Sequence, residues 1–394
     1  MKGGEKIKKI LQLLRGFGLG LVIGLGFAGA IFVVPELRQF LANVMDEHGF
    51  LLFMACWFGA MFICVLAAFI QIIIHEAGHL VCGLATGFRV VSFRVANIML
   101  VRHDDGWQFG RFSIAGTGGQ CLMEPAIDEL KEAHRMPYAW YLAGGVIANV
   151  VAAAVAIVVL CLHVAGVFGS SLMAMLALTG LYLAITNGIP MKISGVANDG
   201  DNIRTLSKDT DARRLLWIQL KANALYTRGQ RFCDMPQEWF YTPDDADAGD
   251  YFYATIIGMR ASREMESMDF EAAYADLRRL RAAGSRLLEL LQMETACELL
   301  LPTIILRRPR YEIDALMTKR TEEYARAYAN YMLSRAVTVY VVERFVKRDA
   351  AATQKALQQF ERMAARYPTK GELRSCREMM AYLQTLNDED YATN

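Results

Sequence analysis

The chain has 394 residues, of which 54% are hydrophobic and 21% are charged, and its formal net charge is +1 at pH 7. A balance this close to neutral gives no electrostatic reason to expect a nucleic acid partner. The apolar runs lie before residue 190, whereas acidic and basic residues recur with helical spacing after it, so a wholly soluble protein is excluded. We therefore predict a membrane domain at residues 1–200 and a soluble α-helical domain at residues 201–394.

Two apolar stretches precede the first histidine pair of the chain. Residues 17–34 follow a basic N-terminus and show no clear cleavage site, so a retained membrane span is predicted, with a secretion signal as the alternative. A second stretch begins near residue 51 and contains no charged residue before His75. Its length is sufficient to cross a bilayer, and we predict it to be the second span.

A longer uncharged segment lies between Arg135 and Lys192. It is too long for a single crossing, and the sequence HVAGVFGSS in its middle contains turn-forming glycines. We predict a third span at about residues 137–162 and a fourth at about residues 171–186.

Lys and Arg residues in the short connections predict the orientation of these spans. Residues 1–15 contain five of them, residues 35–50 contain one, and residues 86–136 contain six. Because basic residues are enriched on the cytoplasmic side, the first and third of these segments are predicted to be cytoplasmic. The chain is thus predicted to be a multi-pass cell-membrane protein with both termini and the C-terminal domain in the cytoplasm.

The second span ends in the sequence HEAGH, which contains His75, Glu76 and His79. Helical residues four apart project from one face, so the two imidazoles can bind a single metal ion. This is the HExxH pattern of zinc peptidases, whose glutamate accepts a proton from a water made acidic by the ion. We predict one Zn²⁺ per chain, Glu76 as general base, and a third ligand at the cytoplasmic end of the second or fourth span.

The order of motifs resembles the site-2 protease family of zinc intramembrane metalloproteases. Beside HEAGH, the segment NGIP contains Asn187 and Pro190, NDG contains Asp199, and AGGVIANVV in the third span contains Asn149. The resemblance covers about residues 50–206. It implies a membrane helical core and a membrane-inserted protein or peptide as the substrate, cleaved near the cytoplasmic face.

The resemblance also implies roles for individual residues. Asp199 is the implied third zinc ligand, and Asp201 is the alternative. Asn187 is interpreted either as a substrate contact or as a structural break before Pro190, and Gln120 in the glycine-rich sequence GTGGQ is open to the same two interpretations. The candidate substrate-binding residues are Asn187, Pro190, Asn149 and Gln120.

Alternating residues between the second and third spans predict a small β-sheet near the active site. The sequences RVVSFRV and WQFGRFSI have strand periodicity, HDDG between them is typical of a turn, and GTGGQ is predicted to be a flexible loop. An exposed strand edge could pair with an unwound substrate. The alternative is an amphipathic hairpin lying on the membrane surface.

The C-terminal half resembles tetratricopeptide helix pairs weakly, and such repeats bind protein partners. A plain helical cap is the alternative. The predicted fold is therefore mainly α, with about four membrane spans, a small sheet and a soluble helical domain. The predicted function is zinc-dependent intramembrane endopeptidase, and the alternative is a catalytically inactive membrane scaffold that binds partners through its helical tail.

Overall fold

The computed structural model describes residues 35–111, 118–193 and 196–391. The predicted first span at residues 17–34 lies outside them. The described chain is mainly helical and contains a small antiparallel sheet, as the sequence predicts.

Helix α1 (Pro35–Ala85) contains the second predicted span. Gly49 interrupts its helical backbone with φ 75°, a conformation that glycine adopts without a steric penalty. The segment Met54–Ala85 is long and apolar enough to cross a membrane, with a mean hydropathy of 2.4. Since α1 continues through HEAGH, regular helical geometry sets the relative positions of the motif's side chains.

Helices α2 (Tyr138–Cys161) and α3 (Val167–Gly188) correspond to the third and fourth predicted spans, with mean hydropathies of 2.5 and 1.7. Within the described residues, three helices thus have the length and composition of membrane spans. Helix α3, the fourth predicted span, begins at Val167 and not at about residue 171 as predicted. It begins earlier because the hydroxyls of Ser170 and Ser171 donate to carbonyls of the preceding turn. Their polar groups are satisfied locally, so these serines continue the helix.

Four antiparallel strands form a sheet in the order β3-β2-β1-β4. The strands are β1 (Arg89–Val95), β2 (Ile98–His103), β3 (Gly106–Arg111) and β4 (Gly119–Glu124). The HDDG turn joins β2 to β3 as predicted. The prediction of a flexible loop at Gly119 and Gln120 is wrong, because both residues pair with β1 at the start of β4.

The rest of the described chain is a short hairpin, β5 and β6, followed by helices, which confirms the predicted helical tail. The tetratricopeptide-like character of the tail stays a prediction. The elements are β5 (Lys192–Ile193), β6 (Val196–Ala197), α4 (Asp199–Lys208), α5 (Thr210–Arg228), α6 (Tyr251–Glu266), α7 (Phe270–Ala282), α8 (Glu289–Ile305), α9 (Arg310–Leu316), α10 (Lys319–Tyr328), α11 (Leu333–Val341), α12 (Ala350–Ala364) and α13 (Lys370–Thr385).

The described residues form two compact units. The first contains α1 up to Cys82, α2 from Leu142, α3, and residues 198–200. The second contains the sheet and the helical tail from Asp201 onward. The predicted division into a membrane protease domain at residues 1–200 and a helical domain at residues 201–394 stays a prediction.

A buried charge cluster joins the sheet to the tail inside the second unit. Glu124 at the end of β4 lies 2.7 Å from Lys221 Nζ and accepts hydrogen bonds from Arg228 at 2.7 and 3.2 Å. Burial raises the pKa of Glu124, but its bonds with the two cations of α5 outweigh that effect and lower the pKa overall. Removing one partner would leave a buried charge unpaired, so these residues are strongly coupled.

Candidate metal centre

Three potential metal ligands converge at the HEAGH motif in the first unit. His75 Nε2 lies 3.1 Å from His79 Nε2 and 3.2 Å from Asp199 Oδ2, and His79 Nε2 lies 3.5 Å from the same oxygen. In the part of the chain that the structure describes, these three side chains form the candidate metal-binding group. Two of the three come from α1, and the third comes from the first turn of α4.

The geometry and chemistry of these residues fit zinc. Ligand atoms about 2.0–2.2 Å from a tetrahedral zinc ion are about 3.3–3.6 Å from one another, close to the separations observed here. Two imidazoles and one carboxylate also form the usual protein ligand set of a catalytic zinc, which keeps a fourth position open. The side chains of His75, His79 and Asp199 are only 12%, 10% and 18% exposed, so a bound ion would be shielded from bulk water.

The ionisation of Asp199 is also suited to metal binding. Burial is the largest single influence on its pKa and raises it, but hydrogen bonds and charges from His75 and His79 together outweigh burial and bring the pKa to about 2. The carboxylate is therefore ionised at neutral pH, as a metal ligand must be.

The amide of Asn198 holds the segment that presents Asp199. Its Nδ2 donates to the carbonyls of Thr186 at 2.7 Å and Ile189 at 2.6 Å, and its Oδ1 accepts from the Met191 N–H at 3.2 Å. The residue before the ligand is thereby bound to the end of α3 and to the chain just after it. This role was not predicted from the sequence, although an asparagine directly before the Asp-Gly pair was an available signal.

Gly200, on the other side of the ligand, allows a close backbone approach. A Cβ added there would lie 2.3 Å from the carbonyl oxygen of Gly188 and 3.1 Å from the nitrogen of Pro190. Any other residue would push the first turn of α4 away from the end of α3. This close contact explains why a glycine follows Asp199.

Helices α1 and α2 approach each other through glycines beside the two histidines. A Cβ on Gly78 would lie 2.2 Å from the Gly144 carbonyl oxygen, and one on Gly144 would lie 2.3 Å from that of Gly78. The next residue, Gly145, faces the imidazoles, where an added Cβ would be 2.6 Å from Nε2 of both His75 and His79. The glycine pair of α2 thus leaves room for the rings and for an ion between them.

A buried amide chain sets the orientation of His75. Its Nδ1–H donates to Asn149 Oδ1 at 2.7 Å, and Asn149 Nδ2 donates to the backbone oxygen and the Oε1 of Gln71 at 3.0 and 2.8 Å. Gln71 Nε2 in turn donates to the Leu176 carbonyl of α3 at 2.7 Å. When a metal takes the place of the proton on Nε2, the bond from Nδ1 to Asn149 would keep the His75 ring in the orientation expected of a supported ligand.

Gln71 is a second residue of the site that was not predicted from the sequence. It lies four positions before His75, on the same face of α1, and it is fully buried. A lone polar side chain in an uncharged membrane span was the signal that could have identified it. Asn149 is also fully buried, and its contacts favour a role in positioning His75 over the predicted contact with substrate.

The other predicted site residues differ in burial and in their contacts. Glu76 follows His75 in α1 and is buried, and Asp201 is buried in α4 outside the group of three ligands. Asn187 donates from its amide to the Leu183 carbonyl of its own helix at 3.0 Å, which favours a structural role. Pro190 is exposed just after α3, and Gln120 lies in β4 opposite Arg94 of β1.

We predict that Gly145→Ala weakens zinc binding. The new methyl group would overlap both imidazole rings, so zinc affinity should fall at least about tenfold, the lower range for changes in the shell supporting a metal site. The control is Gly59→Ala in the same membrane protein, where an added Cβ meets nothing within 4 Å. Zinc content of the purified proteins is measured. A Gly145→Ala chain that binds zinc as tightly as the parent would show that the rings need no room on that side.

The fold and the site together define a class of protein. Three apolar helices of membrane-spanning length and a buried His-His-Asp centre with an adjacent glutamate are the features of a membrane metalloprotein. The model of peptidase family M50 matches residues 61–364, and the chain belongs to this family, that of the site-2 proteases. Comparison with curated proteins and with solved structures gave no match. The predicted resemblance is confirmed, and the family is one of zinc intramembrane metalloproteases.

Proposed function

We propose that this chain is a zinc-dependent endopeptidase that hydrolyses a peptide bond of a membrane-inserted protein or peptide. The observation that supports it most strongly is the convergence of His75, His79 and Asp199 beside Glu76, in a member of a zinc protease family. Glu76 is buried directly beside His75 in the same helix, which is the position required of a general base for a metal-activated water.

Each residue has a defined task in this proposal. His75, His79 and Asp199 would hold one zinc ion per chain, and the ion would supply Lewis acidity that makes a water molecule acidic near neutral pH. Glu76 accepts the proton of the attacking water on its carboxylate and later donates it to the departing amine nitrogen. Asn149 and Gln71 keep the His75 ring in one orientation while this happens.

We also propose that exposed residues near the end of α3 contact the substrate. Pro190 is exposed, and its ring removes a backbone donor just after the last helical turn. Gln120 at the start of β4 stays a candidate contact, as does Asn187. The substrate must be extended where it is cut, because the peptide bonds of an intact helix are shielded by their own hydrogen bonds.

The test of this function is cleavage of a membrane-inserted model substrate by the purified chain in lipid vesicles. The Glu76→Gln chain is the matched control, since it differs by one group in the proposed machinery. Cleavage by the parent at a rate well above the control supports the proposal. Absence of cleavage by a zinc-loaded parent across substrates of different span sequence, with partner binding intact, would instead support the inactive scaffold.

We propose that the site lies near the cytoplasmic face and that both termini are cytoplasmic. At about 1.5 Å per residue, His75 is about 32 Å along α1 from Met54, which is about the thickness of the hydrocarbon core. The Lys and Arg distribution assigns that end to the cytoplasm.

Topology reporters can check this orientation. Fusions after Arg15, Ala42, Arg111 and Ala392 should report inside, outside, inside and inside, because each apolar span reverses the side of the membrane. The fusion after Ala42 is the internal control, since it alone should report outside. An outside signal at Arg111 would move the site to the opposite face.

A further inference from the structure

A cavity of about 250 Å³ lies inside the helical tail, in the second unit. Helices α5, α6, α8, α11 and α13 all contribute to its walls. The residues of α13 that line it are Glu372, Ser375, Cys376 and Met379, whose helical spacing places them on one face of that helix. Drug-sized ligands occupy pockets of about 300–1,000 Å³, so this cavity has the size for a smaller molecule.

Three carboxylates line this cavity, namely those of Glu266 in α6, Glu298 in α8 and Glu372 in α13. No Lys, Arg or His is among its lining residues in the part of the chain that the structure describes. The fully buried Arg335 pairs with Glu298 and also lies 3.5 Å from Glu294. The charge of this buried arginine is therefore already shared by two carboxylates.

The carboxylates of Glu266 and Glu372 have only neutral hydrogen-bond donors. Glu266 accepts from the Ser375 hydroxyl at 2.6 Å and from the Cys233 N–H at 2.9 Å, and Glu372 accepts from the Tyr367 hydroxyl at 2.8 Å. Neither glutamate forms an ion pair with a Lys or Arg among the described residues. Because Ser375 lies one turn after Glu372 in α13, its bond to Glu266 brings both carboxyl groups to the same part of the wall.

The surroundings of these two carboxyl groups penalise an unpaired negative charge. Burial raises the pKa of Glu266 and the pKa of Glu372, and it is the largest influence on each. Neutral donors satisfy the oxygens but do not balance the charge, so a buried carboxylate gains most from a cation placed next to it. The cavity beside them has room for one.

The rest of the wall is apolar and indicates what kind of cation fits. Phe232, Met265, Leu301 and Met379 line the cavity and are buried, and the Phe232 ring stacks on Tyr226 with their centroids 4.2 Å apart. Aromatic rings and methionine side chains make favourable contacts with organic groups. A calcium ion requires six to eight oxygen ligands, which a wall of this composition does not offer.

We propose that this cavity binds a small organic cation in which an ammonium group is attached to an apolar body. The ammonium group donates to Glu266 and Glu372, and the apolar body packs against Met265, Leu301 and Met379. Occupancy would stabilise the tail, because a ligand that binds only the folded state raises the free energy of unfolding. The proposal goes beyond the peptidase function and does not depend on it, since no residue of the metal centre takes part.

The test uses the purified full-length chain in detergent micelles and radiolabelled phenethylamine, which has an ammonium group and an apolar ring. Its matched counterpart is phenethyl alcohol, which has a hydroxyl in place of the ammonium group. Equilibrium dialysis against protein-free micelles of the same detergent measures binding. Because hydrogen bonds between charged groups are the stronger ones, the amine should bind saturably and at least about tenfold more tightly than the alcohol.

Two single variants locate the binding site. Glu266→Gln and Glu372→Gln preserve the shape of the side chains and remove the charge, so each should weaken amine binding at least about tenfold and leave alcohol binding unchanged. Unchanged alcohol binding shows that the cavity is intact, and measuring the variants singly avoids a double variant that does not fold. The control is Glu361→Gln, at an exposed position outside the cavity, which should bind the amine as the parent does.

Several results would overturn the proposal. Equal binding of the amine and the alcohol by the parent would show that the carboxylates recognise no cation. Full amine binding by both cavity variants would place the amine elsewhere on the chain. Absence of saturable amine binding at millimolar concentration would leave a cavity that holds only water. Displacement of the amine by an equal concentration of calcium chloride would make the cavity a metal site.

Discussion

The Glu76→Gln chain should fold, insert and retain zinc, yet cleave substrate at least about 10²-fold more slowly than the parent, the lower end for loss of a general base. Glutamine preserves the size and shape of the side chain but cannot accept the proton of the attacking water. His75 and His79 flank this position in α1 and remain unchanged, so the metal-binding atoms keep their positions. Single-turnover cleavage of the membrane-inserted model substrate, with zinc content measured on the same preparation, checks the prediction.

Two results would contradict the assignment of Glu76. Cleavage near the parental rate would show that the carboxylate is not the base, and the peptidase proposal would lose its main chemical support. Loss of zinc together with activity would make Glu76 a structural residue or a ligand. The scaffold alternative predicts a third pattern, in which parent and variant are equally inactive and partner binding is unchanged.

Replacement of Asp199 by alanine should abolish cleavage and lower zinc affinity by more than the about 10–100-fold that loss of a supporting residue causes. The variant keeps both imidazoles but removes the carboxylate whose Oδ2 lies 3.2 Å from His75 Nε2 and 3.5 Å from His79 Nε2. Metal titration of the purified protein measures the affinity directly. Because the measurement is of binding, it tests the ligand separately from the base.

The control for Asp199 is Asp201→Ala, two residues later in the same helix. Asp201 is also buried but is not one of the three converging ligands, so its variant should keep zinc and substantial activity. Thermal unfolding of both variants distinguishes loss of metal from loss of fold. The opposite ranking, with zinc lost from the Asp201 variant and kept in the Asp199 variant, would move the third ligand to Asp201.

Local patterns predicted the parts of this protein that depend on neighbours in sequence. His75 and His79 are four positions apart in one helix, so helical geometry alone places them on one face. The family resemblance that starts from them is confirmed. The spans at α2 and α3 follow from hydropathy, which is a property of composition. The start of α3 was misplaced because serine hydroxyls can bond within the helix, which a glycine- and serine-rich sequence does not reveal.

The prediction at GTGGQ was wrong for a related reason. Glycines indicate flexibility when they are considered alone, but Gln120 pairs with Arg94, a residue 26 positions earlier. Strand pairing over that distance stabilised a segment whose local propensity favoured a loop.

What the sequence by itself determined is the chemistry: two imidazoles and a glutamate on one helix, apolar spans to carry them, and an Asp-Gly pair downstream. Only the tertiary structure decided how the third ligand reaches the site, since His75 and Asp199 are more than a hundred residues apart and meet through helix packing. That packing depends on the Gly78–Gly144 contact, on Gly145 beside the rings, and on the Asn198 amide that holds the ligand's segment to α3. Such contacts join residues that are far apart in the sequence and belong to different helices. They therefore follow from the three-dimensional arrangement and not from the residue pattern of any one segment.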